Sequence, residues 1–274
     1  MFKALVNSIK RKIARRVTKK YPTRVDSFTV GRFGTVKFAN WENPLVTPKS
    51  IAAENVEFYQ QFLGEGDVAI DIGANIGNMT IPLALVTGKT GLTLGFDPNP
   101  YVFEVLEENT RLNPDKTNID AYNFAISEQD GEFYYNSSEA SFNNGGISTE
   151  PSNRHGKYSL NVKIKGVNLQ QFLEQNYAAR LPRLKLVKID TEGYDKEIIK
   201  SISGLLRQYK PAVITECFGK NDSAARFEQF ELLKNLGYSL YYFADFASDA
   251  EVVPIRQKED MLKWKHFDLY AVAE

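Results

Sequence analysis

The sequence predicts an α/β fold built on a doubly wound, mostly parallel sheet that finishes with an antiparallel strand. Three observations carry that expectation. From residue 68 onward, short β-branched runs alternate with helical stretches, as parallel strands joined by crossover helices require. Several of these runs end in turns rich in Gly, Asp and Pro directly before a helix, and the last two runs have no clear helix between them. The composition, 43% hydrophobic and 25% charged over 274 residues, is that of one large globular domain.

In chain order, residues 1–24 place Phe2, Leu5, Val6, Ile9, Ile13 and Val17 on one helical face, with cations on the rest. This reads as a basic amphipathic helix ending near Tyr21-Pro22. Residues 25–64 hold a hairpin, 27–30 and 35–38 around Gly31-Arg32-Phe33-Gly34, and a helix over about 50–63. Residues 65–274 form the α/β domain. Its strands are expected at 68–72, 92–96, 121–126, 185–189 and 212–215, and its helices ending near 86 and over 100–112, 194–202 and 224–236. Runs 238–243 and 267–272 should pair antiparallel at one end of the sheet. Between 132 and 166 lies a polar, Gly- and Asn-rich insertion with strand-like pieces at 132–135 and 160–164.

Charge and composition narrow the function classes. Net charge is zero, but residues 1–24 hold nine Lys or Arg and no acid, so residues 25–274 hold 25 Lys and Arg against 34 Asp and Glu, a net −9. An acidic body gives no general reason to bind nucleic acid. The uncharged stretch 72–88 contains Asn75, Asn78, Pro82 and glycines, which does not describe a membrane-crossing helix. A single cysteine, Cys217, cannot form an intrachain disulfide, as is usual in a reducing, cytoplasmic setting. For residues 1–24 three readings stand: peripheral attachment of residues 1–20 to an anionic membrane, docking on the acidic body, or a cleaved transit peptide.

The chemistry-bearing residues gather at strand ends. The first strand of the sheet runs into Asp71-Ile72-Gly73-Ala74-Asn75-Ile76-Gly77-Asn78, where a doubly wound sheet holds its ligand. A dinucleotide fingerprint would have glycines where Asn75 and Asn78 stand, which weakens a nicotinamide reading. Asp71 repels a pyrophosphate but suits a ligand with an ammonium and a sulfonium centre, such as S-adenosylmethionine. The second strand ends in Asp97-Pro98-Asn99-Pro100, and a carboxylate there can accept from both hydroxyls of an adenosine ribose while Pro98 and Pro100 stiffen the turn. The blander alternatives are that Asp97 caps a helix and Asp71 is a solvated strand-end acid.

Across the crevice, the fourth strand ends in Lys188-Ile189-Asp190-Thr191-Glu192-Gly193-Tyr194, and the fifth in Thr215-Glu216. An alcohol is a poor nucleophile at neutral pH, so methylating one needs a base or a cation, and Asp190, Glu192 and Glu216 could serve as the base or as oxygen ligands for Mg²⁺. Against this stand a helix-capping role for Asp190 and a lysine pair for Glu216. His155 reads as a loop histidine, His266 as a structural residue entering the last strand, and Cys217 as a small buried residue.

These segments, together with Asn123-Phe124-Ala125-Ile126-Ser127, Gly131 and Asn144-Gly145-Gly146-Ile147-Ser148, stand in an order that resembles the FkbM family of S-adenosylmethionine-dependent methyltransferases. The resemblance covers roughly residues 54–243. It implies a Rossmann-like class I methyltransferase sheet and methylation of a hydroxyl, often on a sugar or glycan. By the same resemblance the cofactor contacts would be Asp71, Gly73, Asn75, Gly77, Asp97, Pro98 and Ser127. The family commonly has Glu where this chain has Asp97, and residues 1–24 have no counterpart in its pattern. Two other readings remain: a membrane-surface binding protein that keeps the fold without turnover, and a nicotinamide-dependent oxidoreductase.

Overall fold

The computed structural model describes residues 2–151, 156–191 and 193–274, without the side chains of residues 2–4. His155 and Glu192, both named above, therefore lie outside the described residues. Eight strands make the main sheet, numbered here in chain order: β1 (Val68–Ile72), β2 (Leu92–Phe96), β3 (Ile119–Tyr122), β4 (Leu184–Ile189), β5 (Ala212–Cys217), β6 (Tyr238–Phe243), β7 (Val252–Ile255) and β8 (Phe267–Ala273). Their spatial order is β7-β6-β8-β5-β4-β1-β2-β3. Strands β1 to β5 are mutually parallel, and β8 lies antiparallel between β5 and β6. The chain therefore winds outward one way from β1 and the other way from β4, and the crevice between those two strand ends is the topological switch point where such sheets bind ligands.

The helices are α1 (Phe2–Ala14), α2 (Ala53–Tyr59), α3 (Thr80–Thr87), α4 (Pro100–Thr110), α5 (Leu169–Asn176), α6 (Asp195–Ser201), α7 (Ser203–Tyr209) and α8 (Ser223–Asn235). Local chemistry starts several of them. Asn99 caps α4 by accepting from the Tyr101 amide at 3.1 Å, with Pro100 at the first helical position. Asp222 caps α8 in the same way through Ala225 at 2.8 Å. All five residues of β1 and of β2 are buried, as central parallel strands covered on both faces must be.

Alternation along the strands divides the core. Val68, Ile70 and Ile72 face a layer with Leu173, Ile199, Leu206 and Leu233 from α5 to α8. Ala69, Leu186 and Ile214 face α2, α3, α4 and a hairpin formed by Thr23–Thr29 and Thr35–Trp41. Asn109 of α4 ties that hairpin to the first glycine-rich loop: its amide nitrogen donates to the Ala39 and Ile76 carbonyls at 3.0 and 2.8 Å, and its oxygen accepts from the Ala39 amide at 2.6 Å. The loop after the hairpin is thereby held over the crevice.

Departures from the expectations are local. The predicted strand 121–126 is split into β3 and a two-residue strand, Ala125–Ile126, that leaves the main sheet to pair with Ile164–Val167. The insertion is a second small sheet in which Gly131–Ser137 pairs with Ile164–Val167, Gly146–Ser148 and Tyr158–Ser159. Helices α5 and α7 and strand β7 lie outside the expected elements. The expected helix over 50–63 shrinks to α2, because Gly64 and Gly66 follow a turn rather than a further helical turn.

Candidate active site

At the switch point lies a cavity of about 420 Å³. Its floor comes from the loops after β1 and β2, its far wall from the loop after β4, and its roof from the segment after the hairpin and from the insertion. Of the residues singled out in the sequence, Gly73, Asn75, Asp97, Pro98 and Asp190 line it. Lys49, Tyr135, Asn143, Thr191 and Tyr194 join them.

Three residues of the first loop have positive φ, Gly73, Asn75 and Gly77, and the first two shape its cavity side. Gly73 has φ +78°, and a Cβ there would lie 1.8 Å from the carbonyl oxygen of Asp190, so only glycine lets the β1 and β4 loops meet. Asn75 has φ +50° and takes a conformation otherwise left to glycine, which Asn tolerates better than most residues. That explains how Asn stands at a fingerprint glycine position without breaking the turn.

Asp97 sits at the end of β2, only 7% exposed. Its Oδ2 accepts from the Asn75 amide and its Oδ1 from the Asn99 amide, both at 2.9 Å. Burial pushes its carboxyl up to about 7; the two amides pull it down, and the charges of Asp71 and Asp190 add to the rise. Asn99, and not Asp97, is the helix cap. A carboxylate has about four acceptor sites, and two backbone amides occupy two of them. Asn99 also donates to the Phe142 carbonyl at 2.5 Å and the Tyr135 hydroxyl at 3.3 Å, joining this turn to the insertion. Phe142 itself has φ +50°, a strained conformation for a bulky residue, held at the cavity's edge with its ring stacked on Tyr101.

On the far wall, Asp190 projects from the end of β4 while its amide donates to the Ile72 carbonyl at 2.9 Å. Its Oδ2 is 3.3 Å from the Lys188 ammonium, which lies equally 3.3 Å from Asp71 Oδ1. Register dictates this: Lys188 pairs directly with Asp71 across β4 and β1, so both side chains share one face. Burial alone would lower Lys188, but Asp71 and Asp190 outweigh it and hold it well above the ordinary lysine value. Asp71 also accepts from the Thr80 hydroxyl at 2.7 Å.

Asp71 therefore takes a different post from the one expected. It is fully buried behind the loop, its charge matched by Lys188, and does not line the cavity. Gly77 also stays off the cavity wall, packing against α4, where a Cβ would meet Leu106 at 3.0 Å. Ser127 turns its hydroxyl to the Gln129 carbonyl at 2.9 Å and lies outside the lining. Glu216 is not among the lining residues; among the described residues it forms an ion pair with His266, 2.7 Å away, and none with a lysine. Among the described residues, no group of three His, Cys, Asp or Glu could hold a metal ion.

Two residues escaped the reading of the sequence. Lys188 looked like one letter of a strand, and only the register reveals its two carboxylate partners. Asp195, 2% exposed, accepts from the Thr191 hydroxyl at 3.1 Å and from the Gly193 and Glu216 amides at 3.3 Å, fixing the loop that presents Asp190. Burial, and then the nearby Asp190, push its carboxyl up to about 7. Asp190 does not cap α6, whose first turn receives no side-chain cap. Cys217 is buried and its thiol pushed up to about 11 by burial, as befits an inert packing residue.

Comparison with known proteins gives this geometry a context. The profile of the family described as "Methyltransferase FkbM domain" matches residues 71–240. The chain is similar to the hexuronic acid methyltransferase AglP of Haloferax volcanii, at 25% identity over 151 residues, 55% of this chain and 56% of that protein. It is also similar to a protein-L-isoaspartate O-methyltransferase of Caenorhabditis elegans, 28% identical over 89 residues, 32% of this chain and 39% of that one. The matches thus span about half, or less, of the length of these curated relatives. Among solved structures, the methyltransferase FkbM of Methylobacillus flagellatus aligns at TM-score 0.45 and 14% identity over 79% of this chain and 50% of that one. The precorrin-6y C5,15-methyltransferase of Geobacter metallireducens aligns at TM-score 0.45 and 13% identity, over 86% and 93%.

Proposed function

Because the chain belongs to the FkbM methyltransferase family, we propose that it is an S-adenosylmethionine-dependent O-methyltransferase whose acceptor is a hydroxyl of a sugar or glycan. The observation that carries this reading is Asp97: a nearly buried carboxylate at the end of β2, lining the cavity, braced by two backbone amides and with acceptor sites left for the two ribose hydroxyls. S-adenosylmethionine, when bound, supplies an electrophilic methyl group and a neutral sulfur leaving group. The rest falls to this chain. Gly73 and Asn75 bring the backbone of the first loop close to the ligand. Asp190, on the opposite wall, takes the proton of the acceptor hydroxyl, and Lys188 with Asp195 fixes where that carboxylate stands.

A sugar acceptor is supported by the similarity to a hexuronic acid methyltransferase and by Lys49, an exposed cation on the cavity wall that suits an acidic sugar. Direct base catalysis by Asp190 is preferred to Mg²⁺ because Glu216 is turned to His266; with Glu192 outside the described residues, chelation of the working enzyme decides between them.

The test is incubation with methyl-labelled S-adenosylmethionine and a panel of hexuronic acids, neutral hexoses, glycans and an isoaspartyl peptide. A hexuronic acid offers both hydroxyls and a carboxylate, so the label is then treated with base. Transfer to a base-stable methyl ether on a sugar is the expected result. A base-labile methyl ester, or transfer only to the peptide, would replace the hydroxyl by a carboxyl acceptor. Binding of the cofactor product without any transfer across the panel would favour a non-catalytic role.

A further inference from the structure

Helix α1 presents its apolar side to solvent. Leu5, Ile9 and Ile13, with Val17 in the turn that continues it, are 59%, 49%, 47% and 51% exposed. Spaced by four, they form one stripe along the helix. A helix docked on its own body would bury that stripe, so the docking alternative for residues 1–24 does not account for it. Around the stripe, Lys10, Lys12 and Arg16 are exposed, and among the described residues no acid pairs with them.

The other end of the helix is fixed. Ala14 is fully buried, the Ala140 amide donates to the Arg15 carbonyl at 3.2 Å, and Arg15 lies 3.6 Å from Glu139. Lys20 pairs with Glu104 of α4. The segment that receives α1 runs on through Phe142, bonded to Asn99, into Asn143–Ile147 on the cavity wall. Helix and cavity rim thus share one short, braced stretch of chain.

We propose that α1 is a seat for an anionic lipid bilayer, with Leu5, Ile9 and Ile13 entering the headgroup boundary and the free cations pairing with acidic headgroups, so that the cavity rim is held beside the membrane surface. Charge complementarity selects this occupant: an apolar stripe flanked by unpaired cations fits an interface with an apolar interior and an anionic face. The proposal stands on α1 alone and is independent of the methyl acceptor.

Flotation of the full-length protein with phosphatidylcholine vesicles containing about one third phosphatidylglycerol tests it. The native chain floats with these and not with pure phosphatidylcholine. Lys10→Gln/Lys12→Gln/Arg16→Gln weakens partitioning by about 100-fold, roughly fivefold per cation. Leu5→Ser/Ile9→Ser/Ile13→Ser abolishes flotation. Both variants keep the native melting temperature and S-adenosylhomocysteine affinity, because the altered side chains are exposed. No flotation of the native chain, or equal flotation of all three proteins, overturns the proposal. So does a native dimer that the serine variant turns into monomer without either binding vesicles, which would make a second copy of the chain the occupant.

Discussion

The raised carboxyl of Asp97 makes cofactor affinity depend on pH in a direction that the structure fixes. Burial sets its value at about 7 in the empty protein. Accepting from two ribose hydroxyls needs the ionised form, since a protonated carboxyl gives up acceptor capacity. About one tenth of the protein is ionised at Asp97 near pH 6 and about nine tenths near pH 8, so affinity for S-adenosylhomocysteine should be roughly tenfold weaker at the lower pH. The sign for folding is opposite. The folded value lies above the unfolded one, so Asp97 withdraws stability from the empty protein as pH rises from about 4 to about 7. Asp195 titrates near the same value, and Asp97→Asn separates the two. That variant should bind about 1.5–3 kcal/mol more weakly near pH 8, the loss expected for hydrogen bonds to a charged group, and with a flat profile at Asp97. Calorimetric titration at several pH values reads all of this. Affinity that is flat or falls from pH 6 to pH 8 in the native chain, or an Asp97→Asn variant with the native slope, would refute the reasoning.

Other expectations follow from the opposite wall and the seam between the two. Asp190→Asn should cut turnover by about 10²–10⁴-fold while changing S-adenosylhomocysteine affinity little, as loss of a general base does; unchanged turnover in a methyl-transfer assay would remove Asp190 from the chemistry. Lys188→Met leaves the Asp71 carboxylate buried and uncompensated and should cost about 3–5 kcal/mol in denaturant unfolding, with much of it regained in Asp71→Asn/Lys188→Met. A double variant no more stable than the single would show that the pair is not the reason. Gly73→Ala must push the Asp190 carbonyl away, so turnover should fall along with melting temperature; native turnover in a stable Gly73→Ala protein would contradict the close approach of the two loops.

The succession of strands and helices along the chain and the two strand-end motifs were legible because both rest on local pattern. A β-branched run followed by Gly-x-Asn or Asp-Pro before a helix signals a strand, a turn and a crossover, and Gly73, Asn75, Asp97, Pro98 and Asp190 do line the cavity. What the sequence hides is which neighbour a strand residue meets. Asp71 looked like a ligand contact because it precedes the loop; its position opposite Lys188 is a matter of register between segments more than a hundred residues apart. His266 read as a structural residue; standing one residue before β8, which pairs with β5, it lies 2.7 Å from Glu216 of β5. Strand β7 escaped because it is only four residues long and Pro254 lies within it, which edge strands tolerate. The segment after the hairpin roofs the cavity, and the hairpin that leads into it is tied down by Asn109 reaching Ala39, a contact that periodicity does not encode.

A crystal structure of the protein with S-adenosylhomocysteine tests the central claim most directly. The ribose hydroxyls are expected within hydrogen-bond distance of the Asp97 carboxylate, the ligand backed against the Gly73-Ala74-Asn75 turn, and its sulfur facing the wall that carries Asp190. A ligand bound elsewhere, or seated in the cavity with its ribose away from Asp97, would contradict it.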